Sequence, residues 1–253
     1  MQKFCFINGK IKINKIKINL LKLNFIILFN KLIFILFNKL IKIKYKTDVR
    51  VYMVWCHTRK LLFIHVPKTG GSTIEHRLKL YKKVKCGWGF KDGKAMQHYT
   101  YKDYIKILGI DKYKKYFKFT VSRNPYSRLV SEYNWCVIPG IGKKGGQTMD
   151  EFIETCKEIV DNKLFDDGIY HDHFIPQHMF MFDDNNKKRV NKIFRMENYG
   201  EIDDFLEKRY NIKNKSEHGR QDYDKIELTK EQKMKVYKIY AKDFELLNYK
   251  KQF

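Results

Sequence analysis

Residues 60–83 read KLLFIHVPKTGGSTIEHRLKLYKK, and three kinds of chain follow one another within them. Lys60 to Val66 is a short, almost unbroken apolar run, which predicts a strand buried on both faces. Pro67 and the pair Gly70-Gly71 end it. Ser72 stands three residues before Glu75, predicting a capping box and a helix reaching about Lys83. The resulting strand, glycine loop and helix offer what an anion needs. Two glycines let the backbone approach, the amides of Thr69 to Thr73 and the helix N-terminus supply positive potential, and Lys68, Ser72 and Thr73 add donors. This is not the Walker A loop, whose lysine follows the last glycine; here Lys68 precedes both.

Outward from this unit the alternation repeats. Tyr116 to Ser122 (YFKFTVS) predicts a second buried strand, running through Asn124-Pro125 into a helix that ends near Trp135. A loop at 139–146 (PGIGKKGG) precedes a helix capped by Thr148 and Glu151. A strand near Lys192 to Met196 and a helix near Ile202 to Tyr210 follow. A last, long helix runs from Thr229, boxed by Gln232, to about Leu247. Strands separated by helices predict an α/β fold: a central parallel sheet flanked by helices, with a P-loop-like strand-loop-helix.

The chain has 253 residues, and composition divides it near residue 50. Residues 1–52 hold twelve Lys or Arg and a single acid, Asp48, among Ile, Leu, Phe and Asn; residues 53–253 form the domain. Leu20 to Ile41 contains 16 apolar residues in 22, long enough to cross a bilayer as a signal anchor. Lys31 near its centre opposes insertion by about 2.5–3.5 kcal/mol. Lys17, Asn24, Lys31 and Asn38 recur every seven residues, a polar stripe that also suits a helix lying in the membrane surface. A true start at Met53 is the third reading, and it would leave the protein cytoplasmic.

The net charge of +24 comes almost wholly from lysine, since only nine of the 52 basic residues are Arg. Nucleic-acid readers lean on the guanidinium fork, so the balance argues against nucleic acid and for an anionic ligand or polymer. Five cysteines without a CxxC pair argue against a zinc site or a disulfide framework, while leaving one bridge open. Oligomeric state is left open.

The paired segments FIHVPKTGGST and RNPYSRLVS resemble the sulfotransferase superfamily, in particular the Golgi-type carbohydrate sulfotransferases and their bacterial and viral relatives. QHYTYKDY (Gln97 to Tyr104), HFIPQ (His173 to Gln177), KIFRMENYGEIDDF (Lys192 to Phe205) and YAKDFELLNY (Tyr240 to Tyr249) resemble further blocks of that family. The resemblance implies 3′-phosphoadenosine 5′-phosphosulfate as sulfuryl donor and no metal. It implies that Lys68, Thr69, Gly70, Gly71, Ser72 and Thr73 hold the 5′-phosphosulfate and that Arg123 and Ser131 hold the 3′-phosphate. Lys68 would neutralise the bridging oxygen and His98 would act as base toward an acceptor hydroxyl, with carbohydrate the favoured acceptor. A lumen-facing, single-pass membrane protein follows if residues 20–41 anchor it, and Asn214 would then open a glycosylation sequon.

Other readings stand beside this one. His65 reads as a packed core residue, and His171, His173 and His178 as an alternative metal set that no HExxH pattern accompanies. Arg195 and Glu197 read as an internal ion pair. Lys143, Lys144 and 187–189 read as solvated faces, or more sharply as a polysaccharide groove. A P-loop kinase would need the missing GK[ST] ending, and a non-catalytic polyanion binder would explain the charge but not the paired loops.

Overall fold

The structure, a computed structural model, describes residues 55–56, 60–78, 90–91, 94–168, 170–212 and 225–253. The elements run β1 (Trp55–Cys56), β2 (Leu61–Ile64), α1 (Gly71–Arg77), β3 (Phe90–Lys91), β4 (Lys94–Ala95), α2 (Tyr101–Leu108) and α3 (Ile110–Lys115). They continue with β5 (Phe117–Ser122), α4 (Pro125–Trp135), α5 (Met149–Asp161), α6 (His178–Met181), β6 (Lys192–Arg195), α7 (Gly200–Tyr210), α8 (Lys230–Ile239) and α9 (Ala241–Leu246).

The two apolar runs read from sequence pair with each other in parallel, Leu61 opposite Phe117 through Ile64 opposite Thr120. β5 then pairs in parallel with β6, giving the order β1-β2-β5-β6, with the two-residue β1 antiparallel at one edge. β3 and β4 form a separate antiparallel pair. Successive side chains point to opposite faces, so each strand feeds two cores. Leu61, Phe63, Phe119, Val121 and Phe194 pack with Ile74 of α1 and with Ile202 and Leu206 of α7. Leu62, Ile64 and Val66 join the larger cluster that includes Tyr104 of α2, Leu129 of α4, Phe152 of α5 and Val236 of α8. Helices on both faces explain why these strands are apolar throughout.

The capping boxes read at Thr148 with Glu151 and at Thr229 with Gln232 are both formed. The box read at Ser72 with Glu75 is not. α1 begins at Gly71 after Gly70 in a left-handed conformation, no side chain caps it, and Ser72 lies exposed inside its first turn. Glu75 instead turns inward, almost fully buried, where only buried donors can satisfy a carboxylate. The long C-terminal helix is also two helices. The chain breaks at Tyr240, with φ −114° and ψ 27°, and the bend brings the buried carboxylate of Asp243 onto the amides of Gln177 and His178.

The described part of α1 ends at Arg77. Residues 79–83 of the expected helix, the 20–41 segment and Asn214 all lie outside the described residues. Among the described residues no helix is long and apolar enough to cross a membrane. Cys136 and Cys156 are buried free thiols.

Candidate active site

The carboxyl ends of β2, β5 and β6 meet at one edge of the sheet, where open α/β folds place their ligands. After β2 the loop 65–70 is pinned from several sides. Thr69 Oγ1 donates to the Val66 carbonyl at 2.8 Å, and Arg128 Nε donates to the Pro67 carbonyl at 3.1 Å. Lys68 adopts a left-handed φ of 65°, uncommon for a residue with a Cβ, and such strain persists only where surrounding contacts enforce it. Its carbonyl accepts a hydrogen bond from Arg123 Nη1 at 3.0 Å. That bond joins the two segments that the sequence set apart by 55 residues. Tyr199 and Met196, just past β6, pack within 3.3–3.5 Å of where a Cβ on Gly70 would stand. Gly71 is tighter: a Cβ there would fall 2.2 Å from Cδ2 of His65.

His65 begins a row of three imidazoles. Its ring centroid lies 5.2 Å from that of His98, and His98 lies 4.7 Å from His173, each pair edge to face. Each Nδ1 meets its own buried carboxylate: His65 with Glu75 at 2.8 Å, His98 with Asp172 at 2.8 Å, and His173 with Glu132 at 2.9 Å. A carboxylate only accepts, so each Nδ1 carries a proton, and on His98, which burial keeps neutral, Nε2 then holds the lone pair. Trp135 stacks on His173 at 4.6 Å, and the Lys68 ammonium rests over the indole ring at 4.7 Å. The strongest base candidate and the loop lysine thus border one aromatic cluster.

Burial dominates the electrostatics. It lowers the Lys68 ammonium to about 8; Glu132 opposes this, and the positive Arg123 and Lys144 add to it. Burial likewise lowers His98 to about 4, against the opposing hydrogen bond that Nδ1 donates to Asp172 and with the neighbouring His173 adding to the depression. Glu132 is pushed up by burial, but His173, Lys68 and Arg128 together outweigh that and hold it below the usual carboxylate range. At neutral pH the site therefore contains a neutral His98 and an ionised Glu132.

The remaining expected residues fall into place around this. Ser131 is buried in the second turn of α4, whose N-terminus is capped by Asn124 through the amides of Tyr126 and Ser127. Thr73 is half-buried and Ser72 exposed at the mouth of the loop. The weighed metal set does not assemble: His171 bonds the Leu164 carbonyl, His173 bonds Glu132 and His178 bonds Asp243. A different group, His98, Asp172 and His173, brings one possible ligand atom from each within 4.8 Å, and there the Asp172 carboxylate already accepts from His98 Nδ1. The expected ion pair of Arg195 with Glu197 is also replaced. The 3₁₀ turn Met196–Asn198 swings Glu197 toward Asn124 N at 2.7 Å and Tyr249 Oη at 3.1 Å, while Arg195 donates to the Leu247 and Asn248 carbonyls.

Sequence reading missed Arg128, Glu132 and Asp172. The first two had a signal, because Pro125, Arg128, Leu129, Glu132 and Cys136 form one 3.6-period stripe, and charges inside an apolar stripe are buried and paired. Arg128 satisfies its burial on the Pro67, His173 and Ile175 carbonyls. Asp172 had none, being 74 residues from His98 in an irregular stretch.

No curated protein and no solved structure is matched. The model of a family described as the Sulfotransferase family matches residues 51–250, a span that takes in the pinned loop, the Arg123 segment and the His98–Asp172 pair. With most of its length and the whole of this site inside that match, the chain belongs to the sulfotransferase family, whose members transfer sulfuryl groups.

Proposed function

We propose that the chain transfers a sulfuryl group from 3′-phosphoadenosine 5′-phosphosulfate to a hydroxyl, with a carbohydrate as acceptor. The observation that carries this reading is the Arg123–Lys68 hydrogen bond, which joins the loop after β2 to the segment after β5, the two stretches proposed to hold phosphates. The residues present fit the nucleotide. The start of α1 has no side-chain cap, leaving its first amides for an anion, and the buried Ser131 hydroxyl lies in the helix that follows Arg123. Thr69 to Thr73 with Lys68 would hold the 5′ group, and Arg123 with Ser131 the 3′-phosphate. When bound, the nucleotide supplies the sulfuryl group and a leaving phosphate.

The chain's own contribution is charge and position. Lys68 presents an ammonium whose burial makes it strongly favour an anionic neighbour. His98 accepts the acceptor proton at Nε2, and Asp172 stabilises the imidazolium that forms. Calorimetry tests the assignment. The 3′,5′-bisphosphate is expected to bind without magnesium and far more tightly than ATP, and Arg123→Ala to cost about 1.5–3 kcal/mol of that affinity. Equal affinity for ATP and the bisphosphate would overturn it.

The pH profile provides a second test. His98 works only when neutral and Lys68 only when charged, so kcat/KM should rise with pH through about 4, stay level, and fall above about 8. The folded value of His98 lies below its unfolded 6.5, so the unfolded chain binds this proton more readily. Folding stability is then lost as pH falls from 6.5 toward 4, and circular dichroism must accompany the acid points. An acid limb near 6.5 in a fully folded protein would assign the base to a solvated histidine instead.

A further inference from the structure

Arg123 is placed by its backbone, and the residue that places it is 54 positions away. It directly follows β5, where the sheet no longer supplies hydrogen bonds to its amide and carbonyl. Gln177 supplies both. Its Oε1 accepts from Arg123 N at 2.9 Å, and its Nε2 donates to the Arg123 carbonyl at 2.8 Å. This ring of two bonds reproduces what a neighbouring strand would give, and it fixes the direction in which the side chain leaves the chain. Gln177 is fully buried, and its own amide donates to Asp243 Oδ2 at 2.8 Å. Asp243, also fully buried, takes His178 N and Nδ1 on its other oxygen at 2.8 and 2.7 Å.

We infer that Gln177, held by Asp243 of α9, is a positioning residue that sets the selectivity of the site for nucleotides bearing a 3′-phosphate. The inference rests on the proposed role of Arg123. The Arg side chain is long and rich in rotamers, so a rigid start to it removes part of the entropy that gripping a phosphate would otherwise cost. The same rigid backbone delivers Arg123 Nη1 to the Lys68 carbonyl. Gln177 thus acts through Arg123, and its larger effect belongs to the 3′ end of the nucleotide, with the Arg123–Lys68 bond carrying a smaller one to the 5′ end.

The test compares the binding of adenosine 3′,5′-bisphosphate with that of adenosine 5′-monophosphate by calorimetry on the full chain. In the wild type the bisphosphate is preferred. Gln177→Leu, which keeps the bulk and removes both bonds, should shrink that preference by about tenfold while leaving the monophosphate within about twofold. Combined with Arg123→Ala it should add nothing further, because both act on one contact. Gln177→Glu keeps an acceptor for Arg123 N and loses the donor to its carbonyl, so an intermediate loss is expected; it carries the test if the leucine variant fails to fold. Equal weakening of both nucleotides in a folded variant, or an unchanged preference, overturns the inference. A wild type that does not distinguish the two nucleotides overturns the functional assignment itself.

Discussion

His98→Ala is expected to slow sulfuryl transfer by roughly 10²–10⁴-fold, the usual worth of a positioned base, while bisphosphate affinity stays near that of the wild type. The separation follows from the structure, because His98 is bonded to Asp172 and packed between His65 and His173, whereas Arg123 bonds the Lys68 carbonyl and Gln177. Asp172→Asn should be nearly as damaging. An amide at that position can donate to Nδ1, which drives the ring proton to Nε2 and removes the lone pair that accepts from the alcohol. The double variant should be no slower than the worse single one, since both disable one unit. Single-turnover rates with a model sugar acceptor, beside calorimetry, provide the measurement. Full activity in His98→Ala together with its loss in His173→Ala would move the base one ring along the row.

Gly71→Ala is expected to remove measurable bisphosphate binding and to lower stability by about 1–3 kcal/mol, the range for an overfilled interior. The new Cβ would stand 2.2 Å from His65 Cδ2 and 2.3 Å from Nε2. The ring has nowhere to go, because Glu75 holds Nδ1, Phe63 stacks at 5.6 Å and His98 closes its edge. The loop must yield instead, and a shift near 1 Å in a positioning loop is enough to cost about 10²-fold. Adding His65→Ala should recover stability by opening space for the methyl group, so thermal melting of the two single variants and the double variant forms a cycle. A Gly71→Ala protein that melts and binds as the wild type does would show that the loop does not lie on His65.

The strands β2, β5 and β6, the loop between them and two of the three capping boxes were legible in the sequence because each is a local pattern. An apolar run, a Gly-Gly pair after Pro67, and Thr148 three residues from Glu151 depend on neighbours within one turn. The resemblance carried by Lys68, Gly70, Gly71, Arg123 and His98 likewise sits in short contiguous words. Local pattern failed where a residue answered to a distant partner. Glu75 has the spacing of a capping residue but serves His65 and Gln97, because burial of its carboxylate outweighs the gain of an exposed cap. The last helix has the periodicity of one rod but bends at Tyr240, and the bend delivers Asp243 to Gln177.

Only the tertiary structure decided how the site is tuned. Asp172 reaches His98 across 74 residues, Glu132 reaches His173 across 41, and Gln177 reaches Arg123 across 54. These pairings have no period and no spacing; they exist because chain folding carries polar and charged groups into a buried edge of the sheet, where each must find a partner. The sequence, through its resemblance, supplied the groups proposed to hold a nucleotide. The fold supplied the buried partners that set their charge, tautomer and direction, since those properties depend on solvent exclusion and three-dimensional proximity, which no local pattern encodes.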